Sequence, residues 1–455
     1  MPFGESWVDD GNAALLTDLY QLTMLQAYWR EGMEAEGTFS LFARRLPKAR
    51  NYLLACGLED VLRYLETLRF TGQALDHLST LDRFSADFLE WLGAFRFTGD
   101  IHAVPEGTPV FANEPILEVV APIPQAQLVE TFVMNQVHLQ TVLASKAVRV
   151  VEAAGGRAVV DFGLRRMHGT DAGMKAARAF HVAGVVATSN VLAGRVYGLP
   201  VAGTMAHSYV QAHDEEMDAF RAFAGLYPET TLLVDTYDTL EAVRKVVRLA
   251  EEMGEAFRVR AIRLDSGDLA ELAFEARSIL DDAGLQQVEI FASGGLDEHE
   301  VERIVSTGAP ITGFGVGTGM GVSADAPSLD IAYKLTSYAG RGRLKLSPGK
   351  PILPGRKQVF RLEEGGLAAR DVIARAEEDL PGRPLLVPVM RDGERFSAGR
   401  PDLDQARLHA REEIERLPPR IRALEPADPP YPVELSRALE TYTREVAGVA
   451  MEESR

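Results

Sequence analysis

Apolar positions in the middle of the chain alternate between two patterns, short β-branched or aliphatic runs and longer segments with helical spacing. About seven short runs, each ending in a Gly, Ser, Thr or Asp turn, occur between residues 157 and 319. They are "RAVVDFG", "GVVATSN", "PVAGTMAH", "TLLVDTYD", "VRAIRLDSGD", "VEIFASGG" and "PITGFGVGTG". Helical segments such as "DTLEAVRKVVRLAEEMG" separate most of them. This alternation is typical of βα units around a parallel sheet.

The number of these units favours a barrel over an open sheet. However, the interval between "GVVATSN" and "PVAGTMAH" is too short for a full-length helix. We therefore predict an α/β fold in which residues 125–340 form an irregular or incomplete (β/α) TIM-like barrel, the catalytic domain.

The flanking segments have different patterns. Helical spacing over residues 13–31, with Thr17 or Asp18 placed to cap, and again in "GLEDVLRYLETLRF" predicts two amphipathic helices, whereas residues 101–120 switch to short extended runs. We predict an N-terminal α+β domain over 1–124, with strands that the tail can share, and a helical run over 125–154. The basic, turn-rich segment after residue 340 predicts a hairpin, followed by helical pieces, so 341–455 forms a smaller C-terminal region.

Composition restricts the partners. Lys plus Arg is 48 and Asp plus Glu is 66, a net charge of −18, which argues against nucleic acid and anionic membranes. Anionic small molecules remain open, since helix N-termini and local arginines can bind phosphate. The one cysteine, Cys56, excludes an internal disulfide and a cysteine zinc site. With neither a signal-like N-terminus nor an apolar window of membrane length, we expect a soluble cytoplasmic protein.

In a barrel, the C-terminal ends of the strands face one mouth. The residues at these ends are mostly polar or glycine, which predicts a site rather than a core. They are Asp161, Phe162, Arg165, Ser189, Asn190, Thr204, His207, Asp235, Asp238, Arg263, Asp265, Asp268, Ser293, Gly294, Gly295, Gly317, Thr318 and Gly319.

Several of these segments suggest phosphate and metal chemistry. Glycines in "SGG" and "GVGTGMG" allow backbone N–H groups to face phosphate oxygens, although tight βα turns also use glycine. In "RLDSGD", Asp265 and Asp268 have the oxygens that hold Mg²⁺ through water, and Arg263 suits a planar or anionic group. Asp268 can equally cap the following helix.

The segment "DFGLRR" has two interpretations: Phe162 as a stacking plane with Arg165 and Arg166 as anion clamps, or a core phenylalanine beside solvated arginines. Nucleophile-elbow, Walker and His-Glu-x-x-His motifs are absent from the sequence, and Cys56 is expected to be buried beside a helix. The sequence thus favours phosphate handling with carboxylates and metal over acyl transfer.

Eight segments, in this order, resemble nicotinate phosphoribosyltransferases: "TDLYQLTMLQAYW", "VVDFGLRRMHGTDAG", "ATSNVLAG", "GTMAHSYV", "LLVDTYDTL", "RLDSGD", "FASGGLDE" and "GFGVGTGMG". The resemblance spans about residues 13–340. It implies an enzyme of NAD biosynthesis that joins nicotinate to phosphoribosyl pyrophosphate (PRPP), forming nicotinate mononucleotide and pyrophosphate. It also implies coupled ATP hydrolysis, a need for Mg²⁺ and a homodimer with shared active sites.

The resemblance assigns roles to individual residues. His207 becomes the residue phosphorylated by ATP, a role that imidazole can fill because its neutral form is well populated near pH 7. His207, Arg263 and Asp265 are the catalytic set, and Asp265 and Asp268 hold the metal. Nicotinate is bound by Phe162, Thr204, Ser189, Arg263 and, from the partner subunit, Tyr20. PRPP and its phosphates are bound by Arg165, Asp268, Ser293, Gly294, Gly295, Gly317, Thr318, Gly319 and Lys334.

Two alternatives stay open. In the related nicotinamide enzyme an aspartate lies near the segment where this chain has Ser189 and Asn190. A carboxylate there would repel nicotinate, so its absence favours the acid over the amide. The second alternative is a non-catalytic barrel that binds phosphosugars.

Overall fold

The computed structural model describes residues 7–346, 352–400 and 402–453. Its helices, in chain order, are α1 Leu19–Glu31, α2 Leu58–Thr67, α3 Gly72–Ser79, α4 Ala86–Gly93, α5 Ile123–Leu128, α6 Glu130–Ala153, α7 Thr170–Val182, α8 Val191–Tyr197, α9 His207–Gln211, α10 Glu216–Leu226, α11 Thr239–Met253, α12 Leu269–Asp282, α13 Glu298–Ser306, α14 Thr318–Gly321, α15 Leu403–Glu415, α16 Pro419–Arg422 and α17 Arg437–Glu453. Among the residues described, no helix has the length and apolar composition to cross a membrane.

The strands, in chain order, are β1 Glu36–Ala43, β2 Leu53–Leu54, β3 Asp100–Ala103, β4 Pro109–Val110, β5 Pro115–Pro122, β6 Ala158–Asp161, β7 Ala187–Thr188, β8 Thr231–Leu233, β9 Ala261–Leu264, β10 Glu289–Ser293, β11 Gly313–Val316, β12 Ile331–Tyr338, β13 Arg341–Gly342, β14 Lys357–Glu364, β15 Leu367–Arg375, β16 Arg383–Pro384, β17 Val387–Arg391, β18 Glu394–Arg395 and β19 Val433–Leu435. The chain divides into two compact units. The first unit joins Met1–Val142 with Ser328–Arg455, and the second unit is Leu143–Pro327.

The second unit is built on a parallel sheet with the strand order β7-β6-β11-β10-β9-β8. Its strands coincide with six of the predicted runs, and the remaining run contributes a parallel bridge from Val201 to Thr188 at the β7 edge. The short interval before that bridge contains only α8. The predicted α/β fold with a parallel sheet is confirmed. Within the part of the chain that the structure describes, no strand pairing joins Val201, at one edge of the sheet, to β8 at the other edge.

Polar residues at several strand ends start the following helices. Asn190 Oδ1 accepts from the backbone of α8 at 3.1 Å, and Asp238 Oδ1 accepts from that of α11 at 2.9 Å. Asp268 Oδ1 accepts from two N–H groups of α12, at 3.1 and 3.2 Å. These side chains satisfy N–H groups that a helix leaves unpaired in its first turn. Part of the polar character at the strand ends is therefore helix capping.

The first unit contains an antiparallel sheet with the order β13-β12-β1-β5-β3-β17-β18 and a second sheet with the order β16-β14-β15-β19. Strands from the two ends of the chain share the larger sheet, since β12 pairs with β1 and β17 pairs with β3. Cys56 is buried, as expected. The predicted hairpin after residue 340 falls partly on 347–351, which lie outside the described residues.

The first helix starts later than its apolar pattern predicts. Residues 13–15 form a separate turn of 3₁₀ helix, and α1 begins at Leu19 after Asp18. Asp18 occupies the N-cap position, as one of the two predicted candidates, but its side chain makes no cap bond and instead accepts from Thr131 Oγ1 at 2.9 Å. The predicted helical run 125–154 is likewise divided into α5 and α6.

A buried ionic cluster links β14 and β15 in the first unit. Arg361, 1% exposed, donates to both carboxylate oxygens of Asp371 at 3.0 and 2.6 Å. Tyr431 Oη also donates to Asp371, at 2.9 Å. Burial, reinforced by the negative charge of Asp371, raises the pKa of Glu114 well above its usual value. Glu114 therefore keeps its proton where an exposed glutamate is ionised.

We expect Glu114→Gln to make folding stability less dependent on pH. With its raised pKa, native Glu114 binds a proton that the unfolded chain releases, so wild-type stability falls as pH rises above the unfolded pKa. Glutamine resembles the protonated form and should remove this part of the fall. Urea unfolding at pH 5, 7 and 9 measures the effect, with the exposed Glu363→Gln as control. Parallel profiles for wild type and Glu114→Gln would contradict the expectation.

Candidate active site

His207 lies at the centre of a polar group formed by three consecutive parts of the second unit. It is the first residue of α9, and its ring Nδ1 is 3.1 Å from Thr236 Oγ1, just after β8. The other ring nitrogen, Nε2, is 3.8 Å from Asp265 Oδ2, just after β9, and 40% of the side chain is exposed. The imidazole is therefore held at one nitrogen and accessible to a ligand.

Arg263 connects this group to the aromatic ring of Phe162. Its Nη2 donates to the Met205 carbonyl at 2.8 Å, and its guanidinium carbon is 5.9 Å from the Phe162 ring centroid. Burial lowers the pKa of Arg263, an effect opposed by Asp265 and Asp235 and reinforced by Arg165. Its buried Nε has no hydrogen-bond partner within the described residues. Because Nε is itself buried, a ligand of Arg263 would have to meet the outer nitrogens of the guanidinium.

The ends of β8, β9 and β10 are joined through two carboxylates. Asp235 Oδ2 accepts from Asp265 N at 3.0 Å and from Ser266 Oγ at 2.5 Å. Asp265 Oδ1 in turn accepts from Ser293 Oγ. The sequence placed Asp235 at the mouth without a role and missed Thr236, although both belong to the same "LVDTYD" run. Both residues lie just after a predicted strand, and this position could have identified Thr236 as well as Asp235 as a site residue.

Gly294 allows the backbone of the β10 turn to pass close to Asp265. Its φ is +90°, and a Cβ there would lie 1.8 Å from the Asp265 carbonyl oxygen. The neighbouring Gly295 also has a positive φ, of +66°, but a Cβ there would contact nothing within 4 Å. Of these two glycines, Gly294 alone combines a positive φ with a steric need for glycine.

We expect Gly294→Ala to displace the Asp265 backbone, lowering kcat/KM by at least about tenfold and stability by about 1–3 kcal/mol. Gly295→Ala is the matched control, because it carries the backbone strain without the clash. Steady-state kinetics and thermal unfolding of both variants measure the difference. Equal effects in the two variants would show that the close approach to Asp265 is unimportant.

Asp161 organises the adjacent strand ends that carry Phe162 and Ser189. It is buried and accepts from Gly163 N at 2.8 Å and Thr188 Oγ1 at 2.7 Å. Burial raises its pKa, and these two hydrogen bonds oppose the shift. The Asp161 carbonyl also accepts from Ser189 N at 2.9 Å. Phe162 is half-buried and so is not a core phenylalanine.

The two glycine turns lie next to each other. A Cβ on Gly319 would be 3.1 Å from the Leu296 carbonyl oxygen, which places the start of α14 against the turn after β10. Thr318, Gly294 and Gly295 are exposed. One ligand can therefore reach both turns.

Other predicted site residues have different side-chain contacts. Asp268 caps α12, and its Oδ1 is 3.7 Å from Arg303. Thr204 donates to Met205 O at 3.4 Å. Tyr20 and Lys334 belong to the first unit, where each lies near Glu130. A search of the described residues finds no group of three or more His, Cys, Asp or Glu side chains arranged to hold a metal.

Glycine turns at the ends of parallel strands, beside an accessible histidine and an arginine, are typical of enzymes that act on phosphate-bearing substrates. Comparisons with known proteins specify which one. The chain matches the nicotinate phosphoribosyltransferase N-terminal domain over residues 15–138, the family itself over 157–359 and its C-terminal domain over 380–443. The chain belongs to the nicotinate phosphoribosyltransferase family, enzymes of NAD biosynthesis, which confirms the resemblance drawn from the eight segments.

Individual relatives agree with this assignment. A nicotinate phosphoribosyltransferase of Mycobacterium tuberculosis is 57% identical over 423 residues, covering 93% of this chain and 91% of the relative. That of Bacillus subtilis is 42% identical over 361 residues, covering 78% and 74%. The crystal structure of human nicotinic acid phosphoribosyltransferase matches with a TM-score of 0.83 at 29% identity, covering 94% of this chain and 99% of the human chain.

Proposed function

We propose that this enzyme transfers the phosphoribosyl group of PRPP to nicotinate and couples the transfer to ATP hydrolysis through phosphorylation of His207. The observation that carries the proposal is the His207 ring, held by Thr236 and exposed beside Asp265. The pyridine nitrogen forms the new bond to the ribosyl carbon while the bond to pyrophosphate breaks and its electron pair leaves with pyrophosphate. Because that nitrogen already has a free lone pair, the chain needs no general base there and contributes mainly positioning and charge neutralisation.

The phosphorylation step transfers the γ-phosphoryl group of ATP to His207 and then to water. One imidazole nitrogen attacks the γ-phosphorus of ATP, the bond to the ADP oxygen breaks, and water later releases phosphate from the ring. Since Nδ1 is 3.1 Å from Thr236 Oγ1, this hydroxyl fixes the orientation of the ring before attack. The phosphoryl group adds negative charge close to Asp265 and Arg263, which changes the affinity for an anionic substrate.

Nicotinate binding uses the stacking face and the guanidinium. Phe162 supplies the plane, Arg263 pairs with the carboxylate, and Ser189 and Thr204 border the ring. The position of the Arg263 guanidinium, 5.9 Å from the Phe162 ring centroid, supports this assignment. Tyr20 is 49% exposed, as a residue that completes a partner's site must be, and we propose a homodimer in which it does so.

PRPP binding uses the adjacent glycine turns of Gly294, Gly295, Gly317, Thr318 and Gly319, with Arg165, Asp268 and Lys334 as further contacts. Ser293 acts through its hydrogen bond to Asp265.

We propose that Asp265 and, through water, Asp268 would hold Mg²⁺, because this ion keeps several waters and needs only one or two carboxylates, so no group of three is required. When bound, the ion neutralises pyrophosphate charge.

We further propose that the parallel sheet is an incomplete barrel. Two side-chain contacts support this: His207 to Thr236, and Arg263 to the Met205 carbonyl. Both join the segment after Val201, at one edge, to the β8 and β9 end of the sheet, as curvature towards closure requires. The one cysteine of the sequence, Cys56, is buried, which is compatible with a cytoplasmic location.

A product assay tests the function. Nicotinate, PRPP, Mg²⁺ and ATP together should give nicotinate mononucleotide and ADP, whereas omitting nicotinate or PRPP should stop the synthesis and omitting ATP should lower its rate or yield. Nicotinamide should compete poorly, because Ser189 and Asn190 offer no carboxylate to its amide and Asn190 caps α8. Preference for nicotinamide would overturn the substrate assignment, and synthesis without ADP formation would overturn the coupling.

A further inference from the structure

Glu130, the first residue of α6, collects hydrogen-bond donors from three other parts of the first unit. Its Oε2 accepts from Gln21 Nε2 at 2.8 Å, from Gln127 Nε2 at 3.0 Å and from Tyr20 Oη at 3.4 Å. Its Oε1 lies 3.8 Å from Lys334 Nζ, and 13% of the Glu130 side chain is exposed. We call these five residues the Glu130 cluster.

The Glu130 cluster has a buried side and an open side. Gln21 and Gln127 are buried and joined to each other by a 2.6 Å hydrogen bond. Tyr20 is 49% exposed, and the Lys334 side chain is 39% exposed. The carboxylate is thus anchored by two buried amides while it holds an exposed aromatic ring and an exposed cation. The sequence selected Tyr20 and Lys334 separately as ligand contacts, and the structure connects both to one carboxylate that it did not select.

We propose that Glu130 is a positioning residue for nicotinate binding, which fixes the Tyr20 ring by accepting from its hydroxyl. This proposal rests on the proposed role of Tyr20 at the nicotinate site. An exposed aromatic side chain samples several rotamers, and holding it in one before the ligand arrives reduces the entropy lost on binding. Lys334 Nζ, 3.8 Å from Glu130 Oε1, helps to hold the carboxylate in place.

The phenol must remain a donor for this contact to form. Burial, with Glu130 and Asp18 acting in the same direction, raises the pKa of Tyr20 to about 12. Tyr20 is therefore protonated at physiological pH and donates to Glu130.

A purely structural role for Glu130 predicts a different result from a positioning role. As an acidic residue in the first turn of α6, Glu130 also interacts favourably with the helix dipole. Losing that contribution alone would lower the melting temperature without a selective effect on nicotinate. A positioning role instead raises the KM for nicotinate, while kcat and the KM for PRPP stay close to wild type.

The experiment is a double-mutant cycle on the full-length enzyme, with Glu130→Gln, Tyr20→Ala and the double variant. Glu130→Gln keeps one acceptor oxygen but loses the charge that strengthens hydrogen bonds, and should raise the KM for nicotinate about five- to tenfold and leave kcat within about twofold. The double variant should be no worse than Tyr20→Ala, because without the ring Glu130 has nothing to position. Glu31→Gln, at the exposed far end of α1, is the matched control and should match wild type.

The outcomes separate this inference from the proposed function. If Tyr20→Ala raises the KM and Glu130→Gln does not, the inference fails and the role of Tyr20 stands. If the two effects multiply in the double variant, Glu130 acts independently of Tyr20 and the inference also fails. An unchanged KM in Tyr20→Ala would remove Tyr20 from the nicotinate site and overturn both.

Discussion

His207→Ala should abolish nicotinate-dependent ATP hydrolysis, by more than about 10²-fold, while some uncoupled synthesis of nicotinate mononucleotide remains. The substitution removes the proposed phosphoryl acceptor but leaves Arg263, the glycine turns and the carboxylates that we propose bind nicotinate, PRPP and Mg²⁺. ADP and nicotinate mononucleotide measured in the same reaction give the ratio directly. Labelling with [γ-³²P]ATP should mark wild type with acid-labile phosphate and leave the variant unmarked.

Two further variants make this result specific. His213 follows α9, and its Nδ1 lies 2.9 Å from the Tyr209 carbonyl, so His213→Ala should couple normally. Thr236→Val removes the hydroxyl 3.1 Å from His207 Nδ1 and should lower the rate of phosphorylation without abolishing it. Coupling that survives in His207→Ala would refute the phosphohistidine.

The positions of the strands in the parallel sheet could be predicted from the sequence, because these strands are short, apolar and bounded by turn residues. These local features do not depend on distant parts of the chain, and six of the runs became strands. The pattern predicted Asp18 as a cap candidate, but it could not show that the Asp18 carboxylate would accept from Thr131, which lies far away in the sequence, instead of from the first turn of α1. Nor did the pattern show that the run at Val201 would form a single bridge.

The candidate site shows a different limit. Strand-end position brought His207, Arg263 and Asp265 together correctly, because parallel strands end at one edge. The same rule could not distinguish ligand-binding residues from helix-capping residues, since Asp and Asn serve both purposes. Asp268 and Asn190, for example, cap α12 and α8. No sequence feature pointed to Glu130, because it lies within a helical run. Only the contacts with Tyr20, Gln21, Gln127 and Lys334 in the structure identify it.

Arg263→Met should lower kcat/KM for nicotinate about 10²- to 10³-fold, comparable to the loss of a preorganised donor in an active site. The substitution keeps the buried stem but removes the guanidinium that donates to the Met205 carbonyl and lies 5.9 Å from the Phe162 ring centroid. Arg263→Lys should recover part of the rate, since it restores charge without the planar fork.

The same pair of variants tests which ligand group Arg263 meets. If the guanidinium pairs with the nicotinate carboxylate, Arg263→Met should reduce discrimination against nicotinamide, because the amide loses no ion pair. Arg260→Met is the control, because Arg260 lies just before the same strand and 71% of its side chain is exposed. This variant should keep wild-type kinetics. A kcat/KM for nicotinate within threefold of wild type in Arg263→Met would place the carboxylate elsewhere. An equal loss with both pyridines would instead assign the guanidinium to PRPP, since that substrate is common to both reactions.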